Sequence, residues 1–187
     1  GSTRGLTLSP KGQEADCRGG PLGQDARHRV SIQPLSHLEA EHFFDRHHHV
    51  LSFQLLGIDY AWSVEHHFLE EYSHCSASEV FLSAIAAQTK KINIGFGIRQ
   101  VISNYNHPAR TAEAVGMLDL VSRGRAQFGI GEGATRLELG GFGIEAKRKR
   151  DMSLEAAREV ADMMVMEPYP GYECEDWSLP CRNVLPK

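Results

Sequence analysis

The stretch KINIGFGIRQVISNYNHPARTAEAVGMLDLVSRGRAQFGIGEG, residues 91–133, decides the fold because it holds a strand, a helix and another strand in succession. Apolar residues alternate with polar residues or glycine through residues 91–98, which is the pattern of a β-strand. Pro108 suits the first turn of a helix, and Gly124 suits its C-terminal cap. Residues 126–130, AQFGI, predict a further strand. Strands joined through a helix predict a parallel sheet, and therefore an α/β fold.

The apolar face of the first of these strands would consist of Ile92, Ile94, Phe96 and Ile98. Each large apolar side chain left exposed to water forgoes roughly 1.5–3 kcal/mol of stabilisation. We therefore expect this face to need a cover: the chain should form a homodimer or heterodimer, aggregate, or use residues 1–56 as a lid.

The alternation of strand and helix extends to both sides of this unit. IDYAW, residues 58–62, predicts a short buried strand. SASE, residues 76–79, predicts a capping box in which the Ser76 hydroxyl accepts a hydrogen bond from the Glu79 amide and opens a helix. Apolar residues at helical spacing predict another helix over residues 151–166. The tail that follows predicts irregular structure with a short hairpin.

Length and composition indicate one globular domain. The chain has 187 residues, of which 41% are hydrophobic and 24% charged, as in ordinary soluble proteins. Residues 1–35 are rich in glycine, proline and charge without an apolar period, so we predict a poorly ordered segment there. Residues 36–187 would form the domain, beginning with a helix over residues 36–56.

Charge and cysteine content exclude several classes of protein. A net charge of −4 offers no basic surface to nucleic acid or anionic lipid. No apolar run approaches the roughly 20 residues that span a bilayer, and the first residues lack a signal-peptide pattern. The four cysteines lie far apart and form no C-x-x-C pair. We therefore expect a cytoplasmic protein with neither a membrane nor a nucleic-acid partner.

Polar side chains cluster directly after each predicted strand. Glu65, His66 and His67 follow the first strand, residues 99–107 follow the second, and residues 131–136 follow the third. Because the carboxyl ends of parallel strands meet at one edge of a sheet, these segments predict one shared site on that rim.

The residues alone leave the chemistry of this rim open. Adjacent histidines on a strand point to opposite faces, so a metal site is not expected, and His47, His48 and His49 would lie on a helix surface. GIGEGA, residues 129–134, fits a dinucleotide-binding turn only loosely, because the residues after it lack a helical period. Its glycines instead favour close approach of the backbone to something flat or bulky. Histidine titrates near neutral pH, so His66 suits proton transfer.

Four segments, in order, resemble the bacterial luciferase-like family of flavin-dependent monooxygenases. They are LGIDYAWSVEHHF (56–68), TKKINIGFGI (89–98), YNHPARTAEAVGMLDLVSRGRAQFGIGEG (105–133) and GGFGIE (140–145). The resemblance covers about 130 residues, and the ordered set is far more specific than any one motif.

The resemblance implies a (β/α)8 barrel that binds reduced FMN, supplied by a separate flavin reductase. Oxygen then reacts with the reduced flavin, and an aldehyde or other small organic substrate is oxygenated. His66 matches the family's active-site histidine, which manages protons. Gly97 and Ile98 match the strand end that packs against the flavin ring, often with unusual peptide geometry. Glu65 and His67 would support the loop.

Two positions depart from the light-emitting members of the family, and both belong to the expected cofactor site. Gly131 stands where those members carry a reactive cysteine, which argues against light emission. Glu132 stands where they carry an arginine near the flavin phosphate, and a carboxylate there would repel that group.

The barrel itself would be partial. The second half is missing, and residues 1–16 show no alternation typical of a first strand. The expected fold is therefore the N-terminal half of a (β/α)8 barrel without its first strand. Two other functions remain open: a deazaflavin-dependent oxidoreductase, and a truncated, non-catalytic relative that acts only by association.

Overall fold

The computed structural model of the protein describes residues 59–70 and 74–187. The strands in these ranges are β1 (Tyr60–Ser63), β2 (Asn93–Gln100), β3 (Ala126–Gly131), β4 (Tyr169–Glu173) and β5 (Ser178–Arg182). The helices there are α1 (Ser78–Gln88), α2 (Pro108–Ser122), α3 (Arg136–Gly141) and α4 (Lys149–Val165). The segment expected over 1–35, the helix over 36–56 and the boundary between them lie outside the described residues.

The first three strands form a parallel sheet in chain order, with β2 between β1 and β3. This arrangement confirms the α/β prediction, and it places the carboxyl ends of all three strands on one edge. The last two strands form an antiparallel hairpin, which confirms the hairpin expected in the tail. Within the described ranges, no helix combines the length and the apolar character that crossing a membrane requires.

The apolar face of β2 is covered by the chain itself. Ile92, Ile94 and Phe96 are at most 1% exposed and pack in one cluster with side chains of α1 and α2. The expectation that this face needs a separate cover is therefore wrong, because the helices that connect parallel strands return across the same face of the sheet.

Ile98 does not belong to that face, contrary to the alternation of the sequence. The pairing of β2 with β3 changes register between Phe96 and Arg99. The Ile98 side chain lies against Gly131 of β3, where a methyl group in place of the glycine hydrogen would overlap it. Arg99 becomes buried, with only 2% of its surface exposed. A local irregularity thus exchanges an apolar and a charged side chain between the two faces.

Helix α1 begins later than the predicted capping box would place it. Its N-cap residue is Ala77, and no side chain caps the first turn. The capping role predicted for Ser76 is therefore wrong. The Glu79 carboxylate instead accepts a hydrogen bond from Arg99 Nη1 at 2.8 Å. The side chain that the sequence pattern predicted to cap the helix therefore forms an ion pair with a residue of β2.

Helix α2 agrees with the sequence at its start and differs by one residue at its end. Pro108 occupies the first turn, and the His107 side chain caps it by accepting a hydrogen bond from the Ala109 amide. The C-cap is Arg123, with a left-handed φ of 62°, and Gly124 follows with a φ of 80°. Two successive left-handed residues end this helix, and glycine supplies the second without a side-chain penalty.

The short helix α3 contradicts the expectation that no helix follows the third strand. It begins after Thr135, whose hydroxyl accepts a hydrogen bond from the Glu138 amide at 3.1 Å. The helix predicted over 151–166 is α4, which begins two residues earlier at Lys149 and ends at Val165.

Candidate functional site

Glu65 is the centre of a buried polar network at the carboxyl rim of the sheet. Its Oε1 atom is hydrogen-bonded to His67 Nε2 at 3.0 Å and to Asn106 Nδ2 at 2.8 Å. Its Oε2 atom accepts a hydrogen bond from the Gln100 amide at 3.2 Å. Arg99 Nη1 lies 3.7 Å from the same oxygen, so the buried charge is compensated. The loops after β1 and β2 are thereby joined, and Glu65 and His67 support them as expected.

Arg99 connects this network to helix α1. It donates hydrogen bonds to Glu79 Oε2 at 2.8 Å and to Asn106 Oδ1 at 3.2 Å. The Asn106 amide group also donates to the Gln100 carbonyl at 2.9 Å. One guanidinium group therefore fixes the position of the second rim loop relative to the first helix. The sequence indicated only that this loop is polar, and not which of its side chains meet.

His66 lies on the same rim and is held by a carboxylate from a different element. Its Nδ1 atom is 3.1 Å from Glu138 Oε1, and its backbone amide donates to the Cys75 carbonyl at 3.1 Å. The His66 side chain is 23% exposed, whereas Glu138 is fully buried. The imidazole can thus be reached by a small molecule, but the carboxylate behind it cannot.

Glu138 is a candidate site residue that the sequence reasoning misses. Burial alone would raise the pKa of its carboxyl group, but hydrogen bonds from the Thr135 hydroxyl, the His67 amide and His66 outweigh burial and lower that pKa. The Thr135 hydroxyl lies 2.6 Å from Oε2, and the His67 amide lies 3.0 Å from Oε1. The pattern Thr-x-x-Glu at 135–138, a capping box, could have located this residue.

Gly97 and Ile98 are joined by a cis peptide bond, which is the unusual geometry that the resemblance implies. The glycines of β2 are needed for an aromatic side chain of the chain itself. A methyl group on Gly95 or Gly97 would lie 2.7 or 2.8 Å from atoms of Trp62. The flat group that the backbone approaches here is an indole, and the role of Gly97 and Ile98 in binding a cofactor stays a prediction.

Gly131 and Glu132 lie at the end of β3 and just beyond it. Gly131 accommodates the Ile98 side chain, which explains the glycine without a ligand. Glu132 Oε1 forms an ion pair with Lys149 Nζ at 3.2 Å, and the same ammonium group donates to the Gly133 carbonyl at 2.8 Å. The charge of Glu132 is therefore partly compensated, which weakens the repulsion of a phosphate expected from the sequence.

Two buried polar atoms next to Gly133 have no hydrogen-bond partner in the described part of the chain. They are Gln100 Oε1 and the Tyr105 hydroxyl oxygen. A methyl group on Gly133 would lie 2.7 Å from the Tyr105 oxygen and 3.3 Å from Gln100 Oε1. Burial, together with the charges of Glu138 and Glu65, raises the pKa of Tyr105 to about 12. Its hydroxyl group is therefore a neutral donor at physiological pH.

The described ranges contain no group of three or more His, Cys, Asp or Glu side chains placed to hold a metal ion. The three consecutive histidines at 47–49 lie outside those ranges. The chemistry that the described rim itself offers is hydrogen bonding and proton transfer.

Comparison with known proteins places this chain in a family. The profile of luciferase-like monooxygenases matches residues 34–178. The alkanal monooxygenase alpha chain of the Kryptophanaron alfredi symbiont is 33% identical over 96 residues, covering 51% of this chain and 26% of that protein. The limonene 1,2-monooxygenase of Rhodococcus erythropolis is 31% identical over 125 residues, covering 65% of this chain and 32% of that protein. The chain thus spans about a third or less of the length of these relatives.

Solved structures share the fold. The monooxygenase RslO1 of Streptomyces bottropensis superposes with a TM-score of 0.74 and 25% identity, over 79% of this chain and 44% of that one. The oxygenating constituent of 3,6-diketocamphane monooxygenase of Pseudomonas putida, solved with FMN, superposes with a TM-score of 0.69 and 25% identity, over 75% of this chain and 38% of that one. An F420-dependent secondary alcohol dehydrogenase superposes with a TM-score of 0.67 over 76% of this chain and 44% of that one. Because its sequence is only 19% identical, it shows the fold alone. Because the family profile matches most of its length, the chain belongs to the luciferase-like monooxygenases.

Proposed function

We propose that the chain is the N-terminal part of a flavin-dependent monooxygenase that uses reduced FMN and O2 on an aldehyde or another small organic molecule. The observation that carries this proposal is His66, reachable at the rim of a parallel sheet and held by the buried Glu138 carboxylate. A partial (β/α)8 barrel is part of the proposal. Three adjacent parallel strands with helices on one face correspond to a segment of such a barrel.

The rim fits a ligand that carries both hydrogen-bond donors and acceptors. Gln100 Oε1 can only accept a hydrogen bond, whereas the Tyr105 hydroxyl can donate one, and both are buried beside Gly133. The ring and ribityl chain of FMN carry groups of both kinds. Bound there, the reduced flavin would supply the electrons that activate O2.

Four residues of the chain would contribute backbone or charge around such a cofactor. Gly97 and Ile98 would present the end of β2, and Gly131 would present the end of β3. Glu132 would lie on the phosphate side, where its ion pair with Lys149 moderates its charge. These assignments rest on the resemblance and on the position of each residue at the rim.

His66 would move protons during the reaction. One ring nitrogen faces Glu138, and the other is the atom at which a proton is taken up and returned. A flavin reductase as the source of reduced FMN, and pairing into a homodimer or heterodimer, remain predictions. Exposed apolar side chains on the outer faces of α1 and α2, at Val80, Met117 and Leu120, support the expectation of a dimer.

The flavin assignment is tested by titrating the protein with FMN or with a deazaflavin and by following the reoxidation of reduced FMN in air. We expect stoichiometric binding of FMN and accelerated, substrate-dependent reoxidation. Binding of the deazaflavin alone would overturn FMN in favour of a deazaflavin. Absence of binding at millimolar FMN would support the non-catalytic alternative.

The role of His66 is tested by His66→Ala. Turnover should fall by a factor of roughly 10² to 10⁴, the usual contribution of a general acid–base group, while the melting temperature stays close to that of the wild type. His67→Ala is the matched control, because His67 pairs with Glu65 and should reduce stability more than turnover per folded molecule. A greater loss of turnover in the His67 variant would show that the two histidines are assigned the wrong way round.

A further inference from the structure

The two adjacent histidines of the rim are held through opposite ring nitrogens. His66 meets Glu138 through Nδ1, at 3.1 Å, whereas His67 meets Glu65 through Nε2, at 3.0 Å. Each carboxylate oxygen concerned accepts other hydrogen bonds as well, from the His67 amide on Glu138 and from Asn106 on Glu65. Neighbouring residues of one type are thus placed in two different hydrogen-bonding environments.

An ionised carboxylate has only acceptor sites, so the ring nitrogen facing it must carry the hydrogen. The ionised form of Glu138 is favoured by donors on both of its oxygens, namely the Thr135 hydroxyl on Oε2 and the His67 amide on Oε1. These contacts assign the Nδ1–H tautomer to neutral His66 and the Nε2–H tautomer to neutral His67. The lone pair of neutral His66 is therefore on Nε2.

We propose that Glu138 is a positioning residue for His66, which fixes the Nδ1–H tautomer and stabilises the imidazolium when His66 takes a proton. The proton is bound at Nε2 and leaves from Nε2, and Glu138 holds no proton at any stage. Glu138 cannot itself meet a substrate, because it is fully buried behind the imidazole. The inference that this tautomer serves catalysis rests on the proposed function, but the tautomer itself does not.

The other titratable groups described near Glu138 include Tyr105 and Glu65. Tyr105, from the loop after β2, is neutral because burial and the two carboxylates raise its pKa to about 12. Glu65, from the loop after β1, is engaged with His67, Asn106 and Arg99. On α3 itself, the group facing the ring is Glu138. Glu138 is thus the ionised carboxylate that lies within hydrogen-bonding distance of His66 Nδ1.

The tautomer is measured directly by ¹⁵N NMR of the histidine side chains in the full chain, without flavin. We expect neutral His66 to show a protonated Nδ1 and an unprotonated Nε2, and His67 to show the reverse. A wild-type His66 with its hydrogen on Nε2 would overturn the proposal whatever the flavin experiments give. Conversely, a protonated Nδ1 in a protein that binds no flavin would overturn the proposed function and keep the positioning role.

Two variants separate the hydrogen bond of Glu138 from its charge. Glu138→Gln keeps an acceptor oxygen for both His66 and the His67 amide, so the tautomer should persist while kcat falls about tenfold with KM nearly unchanged. Glu138→Leu removes the acceptor, so Nε2–H should appear on His66 and kcat should fall about 10²-fold. Glu145→Gln, an exposed carboxylate beyond α3, is the matched control and should change neither readout.

The outcomes of these variants are decisive in both directions. If Glu138→Leu folds and His66 keeps its hydrogen on Nδ1, the proposal is wrong. If Glu138→Leu fails to fold, the wild-type tautomer and the Glu138→Gln kinetics decide. A lower melting temperature with unchanged kcat per folded molecule in Glu138→Gln would indicate a merely structural role and overturn the positioning of the reacting nitrogen.

Discussion

The two ends of the parallel sheet both contain buried polar groups, but they use them differently. At the amino end, Arg125 donates from Nε to the Ser122 carbonyl at 2.7 Å. Its Nη1 atom donates to the Thr89 hydroxyl at 3.0 Å and to the Ile92 carbonyl at 2.6 Å. Its Nη2 atom donates to the Ala86 carbonyl at 3.1 Å and to the Thr89 carbonyl at 3.0 Å. All five N–H donors of the guanidinium group are thus occupied.

At the carboxyl end, the network is charged and incomplete. Glu65, Arg99 and Glu138 are buried there. Within the described ranges, Arg99 Nε, Gln100 Oε1 and the Tyr105 hydroxyl have no hydrogen-bond partner. A buried polar atom without a partner costs about 1–3 kcal/mol, so such atoms persist where something other than stability requires them.

The difference teaches which end of the described sheet has all its polar groups paired and which end keeps polar groups available to a ligand. At the amino end every N–H donor of the Arg125 guanidinium group already has an oxygen acceptor, so a ligand could add no hydrogen bond to it. Buried charges that leave donors and acceptors unpaired are an arrangement that a polar ligand can complete. In α/β barrels the sites lie at the carboxyl ends of the strands, because the loops that follow the strands converge there.

The largest effect on stability should come from Glu65→Ala at the carboxyl rim. Three donors, from His67, Gln100 and Asn106, lose their acceptor, and Arg99 loses one of its two carboxylates. We expect the free energy of unfolding in urea to fall by about 3–5 kcal/mol.

Glu70→Ala is the control for Glu65→Ala, because Glu70 is exposed in the same loop and its loss should stay within about 0.5 kcal/mol. A decrease below about 1 kcal/mol in Glu65→Ala would show that the rim charges are not desolvated. The distinction between the two ends of the sheet would then fail.

The next largest effect should come from Arg125→Ala at the amino end. The carbonyl groups that Arg125 joins are neutral and become partly accessible to water once the side chain is removed, so we expect a loss of about 2–3 kcal/mol. Arg158→Ala, on the exposed side of α4, is the matched control and should change stability by less than about 0.5 kcal/mol. An Arg125→Ala variant that kept its fold but lost flavin binding would contradict the division between a fully paired end and a binding end.

The smallest loss of stability should come from Tyr105→Phe. The hydroxyl group is buried without a partner among the described residues, so its removal should leave the free energy of unfolding unchanged or raise it by up to about 1–3 kcal/mol. Under the proposed function the same variant should weaken FMN binding about three- to tenfold, because one hydrogen bond to the ligand is lost. A large loss of stability with unchanged FMN affinity would place the hydroxyl group in the fold and not in the site.

Local patterns predicted most of the described strands and helices. The alternation in residues 91–98 and the apolar run at 126–130 correspond to β2 and β3, and Pro108 begins α2 as expected. These patterns succeed because backbone preferences and the helical or strand period act over a few residues. The shared rim also follows from sequence, since parallel pairing alone brings the carboxyl ends of the strands together.

The two capping boxes show where local reasoning fails. SASE at 76–79 matches the pattern but does not cap α1, whereas TRLE at 135–138 matches it and begins α3. In the first case Arg99, twenty positions from Glu79, takes the carboxylate in an ion pair. Distant charges therefore decide between two otherwise equivalent motifs.

The sequence by itself determined the alternation of strands and helices, the family and the position of His66 at the rim. Only the tertiary structure decided that Trp62 and Ile98 fill the space beside the glycines of β2 and β3, and that Glu138 holds His66 from 72 positions away. The reason is physical: the period of a strand or helix is set by neighbouring residues. The partner of a buried polar group, in contrast, is set by which distant segment the packing brings within hydrogen-bonding distance.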